Sequence, residues 1–114
     1  MHTEHYSIKP TVRKSILKAQ RNSQPLVAVG TTSCRVLESV AKSQVYTGST
    51  GIFICPGYKF QAVDALITNF HLPYSTLLML VCAFGGYDLV MKAYKEAIKE
   101  RYRFYSYGDA MLIL

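Results

Sequence analysis

Leu26-Val27-Ala28-Val29-Gly30-Thr31-Thr32-Ser33-Cys34-Arg35-Val36-Leu37-Glu38 is the stretch that decides the fold. Leu26 to Val29 is a short β-branched run of the kind that forms a buried strand, and Gly30 supplies a turn into a helix expected over about Ser33 to Lys42. Strand, turn and helix in that order is the repeating unit of α/β architecture. Upstream, Pro10 suits a first helical turn, and Val12, Ile16, Leu17 and Ala19 follow at helical spacing. Residues 10–22 therefore read as an amphipathic helix ended by Asn22-Ser23-Gln24-Pro25. Downstream, the polar piece Ser43 to Gly51 reads as a loop, and Ile52-Phe53-Ile54-Cys55 as a second strand stopped by Pro56-Gly57. Residues 62–70 read as a third strand. Pro73 and Ser75 open an almost wholly apolar helix through Phe84, which Gly85-Gly86 breaks, and Asp88 is placed to cap a further helix to about Tyr102. A strand from Ala110 completes the alternation. The expected class is α/β, a mainly parallel sheet flanked by helices, with residues 1–114 in one domain and no internal boundary or repeat.

The composition excludes several classes. At 114 residues, 50% hydrophobic and 18% charged, the chain is globular rather than disordered. Its longest apolar run, Leu77 to Phe84, is far shorter than the roughly 20 residues that cross a bilayer, so no membrane role is expected. Met1-His2-Thr3-Glu4-His5-Tyr6 lacks the regions of a signal peptide and reads like mid-protein sequence, and a cytoplasmic location is expected from the cysteines. Cys34, Cys55 and Cys82 are odd in number and widely separated among apolar neighbours, as small buried hydrophobes of a reducing compartment would be. Three histidines without HExxH or paired CxxC give no support for a metal.

Thirteen Lys and Arg against seven Asp and Glu give a net charge of +6. Much of the excess lies in two clusters, Lys9 to Arg21 and Lys92 to Arg103, the second interleaved with Tyr94 and Tyr102. Phosphate attraction beside stackable rings fits a nucleic-acid surface, and a solvated helix face fits the same residues.

Four polar stretches carry the candidate chemistry. Gly30-Thr31-Thr32-Ser33 joins a strand to a helix, so backbone N–H groups, hydroxyls and the positive helix end converge where a carboxylate or phosphate would fit. A plain Thr or Ser N-cap is the alternative, and the loop matches neither the Walker nor the dinucleotide fingerprint. Arg35, one turn inside, is a cation for a substrate anion or a partner for Glu38. In Val63-Asp64-Ala65-Leu66-Ile67-Thr68-Asn69-Phe70-His71-Leu72-Pro73, Asp64, Asn69 and His71 interrupt apolar sequence. Such groups are costly to bury unless they are partnered, so they mark either a lined site or a capped strand end. The unperturbed pKa of a histidine such as His71 suits proton transfer near neutrality. The remaining stretches are Pro56-Gly57-Tyr58-Lys59-Phe60 and Arg103 to Asp109. In the latter Tyr105, Tyr107 and Asp109 fall on one side of an extended segment, with a turn at Gly108-Asp109 as the alternative.

Taken in order, five stretches closely resemble the S-adenosylmethionine:tRNA ribosyltransferase-isomerase family of queuosine synthesis. They are Met1-His2-Thr3-Glu4, Gly30 to Ser39, Ile52 to Phe60, Val63 to Pro73 followed by Ser75 to Val81, and Tyr102 to Ile113. The resemblance implies S-adenosylmethionine as a ribosyl donor and tRNA carrying 7-aminomethyl-7-deazaguanine as acceptor. The ribosyl unit is transferred and isomerised to give epoxyqueuosine, with adenine and methionine released and no metal. The family pattern marks positions in these stretches without assigning roles; Gly30, Thr31, Thr32, Ser33 and Arg35 are expected to form a substrate-binding group. Asn69 and His71 are expected at the reacting centre, with Asp64, Tyr107 and Asp109 as further catalytic candidates. Members are much longer, two-domain chains, so this one is expected to be an incomplete C-terminal part of the larger domain. A separately encoded N-terminal part would then complete the enzyme. The alternative is a catalytically inactive remnant or RNA-binding fragment. Gly85-Gly86, where the family commonly has Ala-Gly, and the short loop of Ser43 to Gly51 depart from the pattern.

Overall fold

The computed structural model describes residues 2–73 and 75–114, so Met1 of the opening motif lies outside the described residues. The chain order is β1 (Glu4–Ser7), α1 (Pro10–Arg21), β2 (Val27–Val29), α2 (Thr31–Ser43), β3 (Thr47–Thr50), β4 (Ala65–Asn69), α3 (Thr76–Gly85), α4 (Tyr87–Lys99) and β5 (Ala110–Ile113). β4 is the central strand of a three-stranded sheet ordered β2-β4-β5, and β1 and β3 form a separate ribbon. β2 runs parallel to β4, with Val27 opposite Ala65 and Val29 opposite Ile67. β5 runs antiparallel to β4, with Leu66 opposite Ile113 and Asn69 opposite Ala110. The ribbon is antiparallel, from Glu4 opposite Thr50 to Ser7 opposite Thr47.

The α/β class thus holds, with a mixed sheet; the expected parallel pairing is confined to β2 and β4. The reason lies in the connection to β5. One crossover helix returns a chain to a parallel strand, but here two helices, α3 and α4, bent by 116° at their junction, separate β4 from β5. The second helix carries the chain back to the far end of the sheet, and β5 descends antiparallel.

Two expectations between α2 and β4 change places. Thr47–Thr50 was expected as loop and is a strand, while Ile52 to Cys55 was expected as a strand and has no ladder. Apolarity at Ile52 to Cys55 reflects insertion into the core, where Ile54 is fully buried, and not pairing. Backbone groups of this connection are satisfied by side chains of α2. Arg35 donates to the Ile52 carbonyl, and Glu38 accepts from the N–H groups of Gln61, Ala62 and Val63.

Helix ends follow local chemistry. Ser75 is the N-cap of α3, its hydroxyl accepting from the Leu78 N–H at 3.1 Å. Asp88, expected as the cap of α4, lies in the first turn, and Gly86, at φ +87°, takes the cap position without a side-chain bond. α4 stops at Lys99.

The core has two parts that meet across α3. Phe70, Val81, Cys82, Val90 and Tyr94 form one, and Ala28, Cys34, Ile54, Leu66 and Leu80 the other. The opposite face of the sheet is apolar and uncovered, with Val27 46%, Val29 66% and Leu112 60% exposed. Cys34 and Cys82 are buried and all three cysteines are free thiols. Among the described residues no single helix is long and apolar enough to cross a membrane.

Candidate active site

β2 and β4 are parallel, so their carboxyl ends lie side by side, and ligands of open α/β sheets bind outside such ends. From β2 the chain turns at Gly30, whose φ of +94° strains any other residue, and enters α2 at once. The Gly30 N–H donates to the Ile67 carbonyl at 2.7 Å, tying this turn to β4. No acidic residue of α2 itself lies in its first turn and no side chain caps its N–H groups, while the Glu4 carboxylate accepts from the Thr32 hydroxyl at 3.4 Å beside that turn. The plain Thr or Ser cap is absent, because Gly30 occupies the cap position.

From β4 the chain leaves through Asn69, Phe70 and His71. A cavity of about 400 Å³ opens between the two exits, lined by Val29 to Ser33, Thr68, Asn69, His71, Leu72, Ser75, Leu77, Tyr105 and Ser106. The His71 backbone N–H donates to the Tyr94 hydroxyl at 2.9 Å, and its Nε2 lies 2.8 Å from the Thr68 hydroxyl. Burial lowers the His71 pKa from its ordinary value, so the ring is neutral near pH 7. Thr68 is buried, and among the described residues its hydroxyl has no other partner. The hydroxyl and Nε2 share one hydrogen bond, whose direction follows the ring tautomer. The Asn69 side-chain N–H donates to the Asp109 backbone carbonyl at 3.2 Å.

The other candidates lie elsewhere. Asp64 is at the amino end of the parallel pair, where its carboxylate accepts from the Leu26 N–H at 2.7 Å and its own N–H donates to the Leu26 carbonyl at 2.8 Å. Residues 103–109 form a turn, the alternative to an extended segment. Asp109 accepts from the Arg103 N–H at 2.7 Å, Tyr105 adopts φ +72°, and the Tyr105 N–H donates to the Phe70 carbonyl. Tyr105 consequently faces the cavity, while the Tyr107 side chain is fully exposed to solvent.

Arg35 is 2% exposed and sealed within the fold, neither in the cavity nor paired with Glu38. Its guanidinium donates to the His2 carbonyl at 2.6 Å, to the Ile52 carbonyl at 3.1 and 3.2 Å, and to the Glu4 carboxylate at 3.3 Å. Thr31, Cys34, Arg35 and Glu38 recur at the spacing of one buried helix face, which is why Arg35 turns away from the loop so near it in sequence. Sequence reasoning did not single out Glu38 as an organising residue. It is fully buried and accepts four hydrogen bonds of 2.8 Å, from the Tyr58 hydroxyl and the N–H groups of Gln61, Ala62 and Val63. A carboxylate at a core position of the helical pattern is the signal that points to it. Desolvation, then the Glu38 charge, pushes the neighbouring Cys34 thiol up to about 12; desolvation and the Glu38 hydrogen bond raise the Tyr58 hydroxyl. Among the described residues no group of three or more His, Cys, Asp or Glu side chains could hold a metal.

A family model described as "Queuosine biosynthesis protein" matches residues 1–113. The chain is 56% identical over 116 residues to an S-adenosylmethionine:tRNA ribosyltransferase-isomerase of Coxiella burnetii, covering 99% of this chain and 34% of the relative. It is 57% identical over 118 residues to the protein of that name from Symbiobacterium thermophilum, covering 100% and 35%. A crystal structure of S-adenosylmethionine tRNA ribosyltransferase from Thermotoga maritima superposes with a TM-score of 0.90 at 52% identity, over 94% of this chain and 39% of that one. The chain spans about a third of the length of the curated relatives it matches. By sequence over nearly its whole length, and by fold, it belongs to the queuosine biosynthesis protein family.

Proposed function

We propose that this chain supplies one wall of the active site of a cytoplasmic S-adenosylmethionine:tRNA ribosyltransferase-isomerase. The enzyme moves the ribosyl unit of S-adenosylmethionine to 7-aminomethyl-7-deazaguanine in tRNA and isomerises it to epoxyqueuosine. The observation that carries the reading is the convergence of the Gly30 to Ser33 turn, Asn69 and His71 on one cavity at the carboxyl end of the parallel strands. The uncapped end of α2 suits a carboxylate such as that of the methionine moiety, or an RNA phosphate. His71, held by Thr68 and Tyr94, offers its remaining ring nitrogen to the departing adenine or to the ribose, and Asn69 adds an amide beside it. Asp64, Tyr107, Asp109 and Arg35 shape the fold around the cavity in this reading.

The uncovered apolar face of Val27, Val29 and Leu112 favours a further element: a complementary N-terminal part of the enzyme packs there and closes the site. The test is a chimera in which these 114 residues replace the matching segment of a full-length relative. Adenine release from S-adenosylmethionine is then measured with precursor-bearing tRNA. His71→Ala is expected to lower turnover about 100-fold or more, and Asn69→Ala about 10-fold. Near-native turnover in both variants removes the assignment.

A further inference from the structure

The two basic clusters of the sequence form two helices that differ in what their cations do. α4 buries Val90, Tyr94 and Ala97, and its Lys92, Lys95 and Lys99 alternate with Asp88, Glu96 and Glu100. That is the pattern of an ordinary solvated face on a helix held by its core. α1 buries no residue. Lys9, Arg13, Lys14, Lys18 and Arg21 are all exposed, and the sequence contains no acidic residue between Glu4 and Glu38. The one salt bridge among the described residues joins Arg35 to Glu4, so Glu4 is already engaged.

Local stability accounts for only part of these charges. The positive end of a helix favours acids, yet α1 has none in its first turn and Lys9 stands at its N-cap without a side-chain cap. Cations in the last turn suit Lys18 and Arg21 alone. Arg13 lies over the Tyr46 ring at 4.2 Å and fastens the helix to the rest of the fold. Lys14, Lys18 and Arg21, at i, i+4 and i+7, are left as a single stripe about 10 Å long on the outer surface.

We propose that this α1 stripe is a docking surface for the phosphate backbone of RNA, with Lys9 at its near end; the choice of tRNA as that RNA rests on the function proposed above. Charge complementarity carries the assignment, since exposed cations without acidic neighbours, on a helix that fully buries no residue, are matched by a polyanion.

The experiment is a salt titration of the binding of an unmodified tRNA transcript to the full chain, by fluorescence anisotropy. It compares Lys14→Gln/Lys18→Gln/Arg21→Gln with Lys92→Gln/Lys95→Gln/Lys99→Gln, which removes the same charge from α4. The α1 variant is expected to bind at least 10-fold more weakly near 0.1 M salt. Its plot of log affinity against log salt should be shallower by about 2, from roughly 0.7 to 0.9 per lost phosphate contact. The α4 variant is expected to stay within about 3-fold of the parent. Amine-reactive footprinting of the unaltered chain supplies a second readout, with tRNA protecting Lys14 and Lys18 and leaving Lys92 and Lys95 reactive. Equal losses in the two variants, no binding by the parent chain, or loss of affinity for phosphatidylserine vesicles with RNA affinity intact would each overturn the proposal. RNA affinity is the readout here and adenine release at the pocket, so each reading can fail alone.

Discussion

α2 carries two polar clusters built on opposite terms. On its inner face Arg35 and Glu38 are sealed from solvent, and their charged atoms are engaged by backbone and side-chain partners. At its amino end, Gly30 to Ser33 face Asn69 and His71 across a cavity, with helix N–H groups uncapped. The first cluster replaces a strand ladder: it satisfies the backbone of a connection that crosses the core without pairing. The second leaves hydrogen-bonding capacity unspent. A polar group saturated by its own chain contributes to folding, whereas one left with free capacity in a concave, partly dry site is available for a ligand.

The largest effect that would sharpen this contrast is expected at Glu38. Glu38→Ala strands three backbone N–H groups and the Tyr58 hydroxyl, and should cost about 3–5 kcal/mol of unfolding free energy, read as a fall in the urea midpoint. Glu38→Gln keeps one acceptor oxygen and should cost about half as much. A loss below about 1 kcal/mol for Glu38→Ala would break the distinction between the clusters.

Arg35→Ala comes next, at about 2–4 kcal/mol, because the His2 and Ile52 carbonyls and the Glu4 carboxylate lose their donor. In the chimera, KM for S-adenosylmethionine should move less than about 3-fold once the folded fraction is matched. A large rise in KM with unchanged stability would transfer Arg35 to the ligand-facing cluster.

Thr68→Val removes the hydroxyl on His71 Nε2 at nearly constant volume. It should cost about 1 kcal/mol of stability and lower adenine release about 10-fold, with Thr68→Ser restoring most of both. A fall in stability with unaltered rate would make Thr68 a packing residue only.

The smallest effect concerns pH. Burial holds the native His71 below its ordinary 6.5, so below that pH the unfolded chain binds a proton that the native chain refuses. The stabilising contribution is complete above pH 6.5 and is lost as pH falls from 6.5 toward the lower native value. His71→Gln should flatten the dependence of the urea midpoint on pH between 7 and 5. An unchanged slope would place the ring in a solvated setting.

Helices and glycine turns were legible in the sequence because periodicity and capping act over a few residues. α1, α2 and α3 lie within two residues of their expected starts and ends. Strand identity was less legible. Thr47–Thr50 is polar on both faces and becomes a strand because β1 lies beside it, whereas Ile52 to Cys55 looks like a strand and has no neighbouring ladder. Pairing belongs to two segments, and a local pattern describes only one. The candidate site divided in the same way. Gly30 to Ser33 and His71 stand at chain exits that follow from strand and helix ends, but Arg35 and Asp64 were assigned by nearness in sequence. Arg35 turns to the buried face of α2, and Asp64 stands at the wrong end of β4.

From the sequence alone came the α/β class, the family and the glycine turn, since each is written in residue type and short-range spacing. Tertiary structure alone decided the direction of β5, the pairing of β3, and the division of polar residues between fold and cavity. The physical reason is that the cost of a buried charge depends on its partners. Those of Arg35 and Glu38, at His2, Glu4, Ile52 and Gln61 to Val63, come from distant parts of the chain that only folding brings together.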